Sequence, residues 1–204
     1  PHMATARRNR KSEAKKHIAI IYTGGTMGSE ESPGGARRTI TCVDQFRAVY
    51  RSVLDMFPNV TISYVLSEPK DSTERDWRSI ERLYARVAKL NGNADAILVI
   101  HGTDSLGYAA SYLSFGLLAE TQGLRTPVIL TGSQTPAGSR KRPQGPSDAY
   151  NNLALALKAG LEADRLHIAD VLVAFGSKIL RGITAAKVTE VGWEAFDSPG
   201  FRNV

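Results

Sequence analysis

The chain has 204 residues, and 42% of them are hydrophobic, which suits one large domain with a buried core. No apolar run approaches the ~18 to 20 residues needed to cross a bilayer, and the single cysteine, Cys42, excludes an intrachain disulfide. The net charge is +6, but residues 1–16 supply +5 of it, so the rest of the chain lacks the charge excess of a nucleic-acid-binding domain.

Residues 1–16 are therefore predicted to form a disordered basic tail, whose first three residues (PHM) are typical of a cloning remnant. The tail has no apolar segment after its basic stretch, so a secretory signal is not expected. The alternative is a basic arm that binds nucleic acid, and such binding should weaken steeply with salt. The four histidines show no metal-ligand spacing. We expect no metal and no cofactor.

From residue 17 onward, short apolar runs alternate with amphipathic stretches. The runs are β-branched and continuously apolar, as in strands covered on both faces, and they lie at 17–22, 60–66, 94–101, 126–131 and 170–175. The amphipathic stretches predict helices at 43–57, 73–90, 105–121 and 147–164. Thr73 and Asp76 resemble a capping box, and Ser147 is a candidate N-cap. The alternation predicts a three-layer, Rossmann-like α/β fold, with helices on both faces of a mostly parallel sheet.

Two segments, 30–41 and 133–146, lack either period and are rich in Gly, Pro, Ser and Arg, so they are predicted to be mobile loops. Both leave the carboxyl end of a strand, where parallel sheets bind ligands. Either could be a lid, and the alternative is an ordinary surface loop, which we favour for the second segment.

The first strand runs into the turn Thr23-Gly24-Gly25-Thr26-Met27-Gly28. The spacing fits neither a dinucleotide fingerprint nor a phosphate loop. The chemically useful groups of this turn are then the hydroxyls of Thr23 and Thr26, which lie beside glycine amides at the end of a strand. A threonine hydroxyl can attack a carbonyl if a base takes its proton, and amides can stabilise the oxyanion. Taken alone, this motif favours a plain structural turn over a catalytic one.

The next two strands end in similar turns, HGTDS at 101–105 and TGSQ at 131–134. The first places Thr103, Asp104 and Ser105 at a helix N-terminus, which favours anions. Asp104 could cap that helix or bind the ammonium group of an amino acid. Consecutive strand ends share one edge of a parallel sheet, so we expect the hydroxyls of the three turns to converge.

Six motifs then follow one another in a familiar order: YTGGTMG, ILVIHGTDSLGYAASYLSFGL, PVILTGSQTP, SDAYNNLALALKAG, LRGITAAK and AFDSPGF. Together they resemble the bacterial-type L-asparaginase family, and most closely the N-terminal domain of its cytosolic branch. The resemblance implies hydrolysis of the side-chain amide of L-asparagine in the cytoplasm. It also implies a homodimer or homotetramer in the full-length protein, with no nucleic-acid or membrane partner.

The same resemblance implies roles for individual residues. Thr26 matches the primary nucleophile, and Thr103 matches the second catalytic threonine, which forms a Thr–Lys–Asp group with Lys187 and Asp104. Asp104 also matches the residue that binds the substrate's α-amino group, and Gly25, Gly102 and Ser72 fall in the substrate-binding stretches. A charged neighbour such as Asp104 raises the pKa of a lysine whereas burial lowers it, so we expect Lys187 to relay protons rather than to act as a free base.

The chain departs from the family pattern at three places. No tyrosine occurs between Tyr22 and Tyr50, where the family carries one in a mobile loop; Pro69 and Lys70 replace the usual paired serines; and Thr184 replaces an arginine. The expected division is a tail at 1–16, an asparaginase N-terminal domain at 17–199 and the start of a linker at 200–204, with the second domain of the family absent. We therefore expect the isolated domain to be nearly inactive. The alternative is a non-catalytic ligand-binding or dimerisation module with the same fold.

Overall fold

The computed structural model describes residues 15–67, 76–119, 123–139 and 147–201. Its central sheet has six strands in the order β4-β1-β5-β6-β7-β8. Neighbouring strands in this order are parallel, except that the last strand, β8, is antiparallel to β7. The strands are β1 (Lys16–Tyr22), β4 (Val60–Leu66), β5 (Ala96–Ile100), β6 (Val128–Thr131), β7 (Val171–Phe175) and β8 (Lys178–Arg181).

In the part of the chain that the structure describes, five α-helices cover the two faces of this sheet: α1 (Val43–Val49), α2 (Arg51–Leu54), α3 (Trp77–Leu90), α4 (Thr103–Leu118) and α5 (Ala149–Arg165). Buried residues of α1, α2 and α5 pack with Leu98 in one core cluster, and those of α3 and α4 pack with Val99 in the other. Neighbouring residues of β5 thus face opposite cores, as the two-residue period of a strand requires. The predicted three-layer α/β fold is confirmed. Within the described ranges, no helix is both long and apolar enough to cross a bilayer.

Local boundaries differ from the predictions where single residues decide them. The helix predicted over 43–57 is two helices, broken at Tyr50. The Tyr50 side chain is fully buried and its hydroxyl donates to the carbonyl of Met27 at 2.6 Å. Lys16, which we assigned to the tail, lies in β1 and forms ion pairs with Asp95 and Asp164.

The predicted cap of α3 was wrong in position. Asp76 is itself the N-cap of α3, accepting from the Ser79 amide at 2.9 Å, and Thr73 lies outside the described residues. At the start of α5, Asp148 directly precedes the helix but makes no cap hydrogen bond, whereas the Ser147 hydroxyl accepts from the Ala149 amide at 3.1 Å, as expected of an N-cap side chain.

The segment 30–41 is not the patternless loop that its composition predicts. It belongs to a hairpin of β2 (Ser29–Glu31) and β3 (Arg37–Thr39). Glu30 lies opposite Arg38 and Glu31 lies opposite Arg37 across the two strands, so that each cross-strand pair joins a negative and a positive side chain, which is favourable. The hairpin is tied to the loop after β6, because the Glu31 amide donates to Ala137 at 2.7 Å.

A second hairpin, β9 (Ala186–Lys187) with β10 (Phe196–Asp197), follows the sheet. Neither it nor β8 is among the predicted strands, because such short strands have no measurable period. Lys187 lies opposite Phe196 in the pairing, and Phe196 is buried against Phe175, with ring centroids 4.9 Å apart. The buried aromatic pair therefore anchors the hairpin that carries Lys187.

The strand order has one functional consequence. The chain passes from β1 to β4 on one side and then returns to β5 on the other side of β1. The crevice at the carboxyl ends of β1 and β5 is therefore a topological switch point, where open α/β sheets bind ligands.

Candidate functional site

Two of the three predicted turns meet at this switch point. The Thr23 amide and hydroxyl both donate to the carbonyl of Ile100, at 3.0 and 3.1 Å. Further along, Gly25 has φ of +90°, and a Cβ built there would lie 2.6 Å from the Cα of Gly102. Glycine is therefore required at position 25 for two reasons: its backbone conformation there, and the close approach of its backbone to that of Gly102. The turn that carries Thr26 thus packs directly against the turn that carries Thr103.

The third turn packs against the second from the other side. The His101 amide donates to the carbonyl of Thr131 at 2.9 Å. A Cβ at Gly132 would lie 2.5 Å from the carbonyl oxygen of His101 and 3.6 Å from Cγ2 of Thr103. A glycine thus lies at each contact between neighbouring turns, and the three turns lie side by side at the carboxyl edge of the sheet.

Some hydroxyls of these turns serve the fold. Thr23 and Thr131 are fully buried, and the Thr131 hydroxyl donates to the carbonyl of Ala174 at 2.7 Å. Thr26 and Thr103 are only half-buried. These two threonines are accordingly the ones in the turns that a ligand can reach.

Thr26 begins a short 3-10 helix, Thr26–Gly28, whose backbone is held from two sides. The Ser29 hydroxyl donates to the carbonyl of Thr26 at 2.7 Å, and Ser29 in turn accepts from the Arg37 guanidinium at 3.0 Å. With the Tyr50 bond to Met27, these contacts hold the Thr26 backbone in place while its side chain stays accessible.

Lys187 reaches the N-terminus of α4 from the second hairpin. Its ammonium donates to Asp104 Oδ1 at 2.6 Å and to Glu190 Oε2 at 2.5 Å, and its side chain is only 13% exposed. The hairpin approaches α4 closely because Gly107 has no side chain: a Cβ there would lie 3.0 Å from the carbonyl oxygen of Ala185.

Two opposing effects act on Lys187. Burial lowers its pKa, but the hydrogen bonds to Asp104 and Glu190 and their negative charges raise the pKa by more, so the net shift is upward. The amine is therefore protonated at neutral pH. In this state it can donate or relay a proton and stabilise negative charge, but it cannot act as a base until it has lost a proton.

A cavity of about 390 Å³ opens beside this ion pair, lined in part by Asp104, Tyr108, Lys187 and Glu190. Two larger cavities, of about 530 and 550 Å³, share Phe57, Pro58 and Val60 at the amino end of β4. They lie at the opposite end of the sheet from the three turns and contain none of the predicted site residues.

The described residues thus place Gly25 and Thr26 in one turn, Gly102, Thr103 and Asp104 in the turn that contacts it, and Lys187 in the hairpin that packs against α4. Ser72, predicted to bind substrate, lies outside the described residues. In the described ranges no group of His, Cys, Asp or Glu side chains could hold a metal ion. Glu190 was not predicted: it accepts from Lys187, three residues earlier, and Lys187 in turn reaches Asp104, 83 positions away in the sequence. The sequence analysis also missed the buried polar residues Asp148 and Asn152, whose only signal is the motif SDAYNN at the start of α5.

Comparisons with known proteins are consistent with this architecture. A family model described as "Asparaginase, N-terminal" matches residues 17–204. L-asparaginase 1 of Escherichia coli (strain K12) is 33% identical over 195 residues, which cover 91% of this chain and 51% of that protein. The chain spans between about a third and about half of the length of the curated relatives it matches, from 31% to 52%.

Two solved structures have the same fold. The thermostable L-asparaginase from Thermococcus kodakarensis superposes with a TM-score of 0.75 at 28% identity, covering 92% of this chain and 52% of that one. The probable cytoplasmic L-asparaginase from Campylobacter jejuni gives a TM-score of 0.74 at 25% identity, covering 93% and 53%.

Proposed function

The chain belongs to the asparaginase family, and on this premise we propose that it contributes the nucleophile-bearing half of an enzyme that hydrolyses L-asparagine to L-aspartate and ammonia. One observation supports this proposal most strongly. The Thr26 turn packs on the Thr103 turn, and Lys187 pairs with Asp104 at the same strand ends. A separate nucleophile and proton relay are what amide hydrolysis through an acyl-enzyme needs.

In the proposed reaction, the hydroxyl of Thr26 attacks the side-chain amide carbon of asparagine. The C–N bond then breaks, the nitrogen leaves as ammonia with the proton that Thr26 gave up, and an ester joins Thr26 to the aspartyl group. Water attacks this ester, so that aspartate leaves and Thr26 regains its proton. Backbone amides of the glycine turns would stabilise the oxyanion in both steps.

We assign the proton transfers to Thr103, Lys187 and Asp104 acting together. Because the pKa of Lys187 is raised, its ammonium is an electrostatic anchor and a proton relay rather than a free base. Asp104 would also hold the α-ammonium group of the substrate. The N-terminus of α4, which begins at Thr103, favours the negative charge of a carboxylate nearby. Gly25, Gly102 and Ser72 complete the proposed substrate contacts.

We expect the 204-residue chain alone to turn over very slowly. Asp104 is 44% exposed, so water has access to the proposed substrate site, whereas efficient catalysis needs the substrate held and water excluded. We extend the proposal to a cytoplasmic enzyme that works as a homodimer or homotetramer at the relatives' full length. Its partners would be L-asparagine and L-aspartate, with no nucleic acid or membrane.

Thr26→Ala tests the proposal, with Thr39→Ala as the matched control on the exposed strand β3. Ammonia release from L-asparagine should be measurable at high protein concentration for the wild type and for Thr39→Ala. It should fall to the buffer blank for Thr26→Ala, because no nucleophile remains. L-Aspartate binding, followed by calorimetry, should persist in all three. Undiminished ammonia release by Thr26→Ala would end the proposal.

The absence of a tyrosine between Tyr22 and Tyr50 favours a second candidate, a ligand-binding module without turnover. Where the family carries this tyrosine, the chain has a charged hairpin, β2–β3, whose tip at Gly35 is exposed. The same experiment separates the two candidates. A binding module binds L-aspartate, but its wild type releases no more ammonia than Thr26→Ala does.

A further inference from the structure

The start of α5 buries two polar side chains that the proposed mechanism does not use. Asn152 is fully buried and Asp148 is 2% exposed. Burying an amide and a carboxylate is costly unless their hydrogen bonds are satisfied. The partners that satisfy them therefore show what the pair does.

The Asn152 side chain connects two separate turns. Its Nδ2 donates to the carbonyl of Gly132 at 2.9 Å and to Asp148 Oδ2 at 3.2 Å, while its Oδ1 accepts from the Gly176 amide at 2.9 Å. Asp148 fixes the rest of the first turn, since its carboxylate accepts from the amides of Gln134 and Thr135.

The Gly132 side of this bridge leads to Thr103. Gly132 lies directly against the 101–103 turn, and a Cβ there would meet the carbonyl oxygen of His101 and Cγ2 of Thr103. A shift of Gly132 towards that turn would be transmitted to it, because no flexible side chain lies between them to absorb the movement.

The Gly176 side of the bridge leads to Lys187. Gly176 has φ of +61°, and a Cβ there would lie 2.6 Å from the carbonyl oxygen of Trp193. The next amide, of Ser177, donates to the Glu194 carboxylate at 2.9 Å. Residues 193–194 lead straight into β10, whose Phe196 pairs with Lys187. The position of Gly176 thus helps to set where the Lys187 hairpin lies.

We propose that Asn152 is a positioning residue, which ties the Thr103 turn to the Lys187 hairpin through one buried side chain, with Asp148 fixing Asn152 and the turn. The inference rests on the proposed function in one respect, namely that Thr103 and Lys187 act in one relay. Asn152 contacts neither reacting group and acts only by holding their two supports at a fixed separation.

The test compares Asn152→Leu with Asn151→Leu, the same change at the neighbouring exposed asparagine of α5. The first variant keeps the approximate shape but leaves the Gly132 carbonyl and the Gly176 amide without their side-chain partner. Its melting temperature should fall by about 5–15 °C, whereas that of Asn151→Leu should change little.

The decisive readout is the titration of Lys187, followed by NMR of the labelled lysine and assigned by the signal that Lys187→Met removes. Asp104 and Glu190 face this ammonium and raise its pKa. If Asn152 positions the hairpin, the pKa of Lys187 in Asn152→Leu should fall back towards that of an ordinary lysine. A merely stabilising role would lower the melting temperature and leave this titration unchanged.

A folded Asn152→Leu protein in which Lys187 titrates as in the wild type would overturn the proposal. Should the variant fail to fold, hydrogen exchange on the wild type decides instead. The Gly176 amide should then exchange as slowly as the amides of β7, and fast exchange would show that the bridge is not maintained. Neither measurement depends on ammonia release, so the proposed function can fail without affecting the result.

Discussion

At the scale of single residues, the junction of the Thr26 and Thr103 turns depends on the absence of a side chain at Gly25. Gly25→Ala combines an unfavourable positive φ with a steric clash against Gly102. Gly35 provides the matched control, since its φ is +80° but a Cβ there would meet no atom within 4 Å. We expect Gly35→Ala to cost about 1 kcal/mol of unfolding free energy and Gly25→Ala at least ~3 kcal/mol.

Urea denaturation of both variants measures the two losses, and their difference reports the clash alone. If both variants lost the same unfolding free energy, the backbone segments at Gly25 and Gly102 would have to lie further apart than in the structure. Gly25→Ala should also weaken L-aspartate binding in calorimetry, because the two turns can then no longer approach each other closely.

Residue chemistry also sets what the sequence could predict about the site. Thr26, Thr103 and Asp104 each follow an apolar strand, so their shared edge follows from the rule that parallel strand ends converge. Lys187 was identified only through the resemblance, and its second partner, Glu190, was not predicted at all. The ion pairs of Lys187 depend on a hairpin with two-residue strands, which gives no periodic signal.

At the scale of elements, α3 offers a direct test of a corrected cap. Asp76 accepts from both the amide and the hydroxyl of Ser79, at 2.9 and 2.7 Å, and its charge favours the helix N-terminus. Asp76→Ala should therefore lower the unfolding free energy by about 1 kcal/mol, whereas Asp76→Asn should lose much less because asparagine is also a good N-cap. Chemical denaturation monitored by circular dichroism gives both values.

A loss from Asp76→Asn as large as that from Asp76→Ala would show that charge, and not the cap hydrogen bond, is the main contribution. No loss in either variant would mean that α3 begins elsewhere. The element scale also shows why the capping box was misplaced. The sequence offers Thr73, Asp76 and Ser79 at intervals of three residues, and sequence spacing alone cannot decide which of them ends the preceding segment.

At the scale of the whole molecule, the strands were predictable because burial on both faces gives a continuous apolar run, and the helices because burial on one face gives an amphipathic period. The β2–β3 hairpin was not, because cross-strand charge pairing leaves no apolar pattern. The strand order was likewise not predicted, and it decides where the site lies. It follows from which strand edges pair, a property that the periodicity of single segments does not contain.

The sheet separates two cores, and this separation can be measured. Ile129 packs in the cluster with α5, whereas Ile97 packs in the cluster with α4. Leu98 shares the Ile129 face and lies directly opposite Ile129 in the pairing of β5 with β6. Ile97→Val and Ile129→Val should each cost ~0.5–1.5 kcal/mol, and their costs should add within ~0.5 kcal/mol, because the two deleted methyl groups have different neighbours.

Ile129→Val combined with Leu98→Ala should behave differently. Because the two side chains share one face, the space left by one allows the other to move, and the combined loss should differ from the sum of the single losses by more than ~0.5 kcal/mol. Urea denaturation of the single and double variants gives both coupling energies. Strong coupling across the sheet, between Ile97 and Ile129, would show that the faces do not act as independent cores. The turns at the switch point would then rest on a single cooperative core rather than on two independent ones.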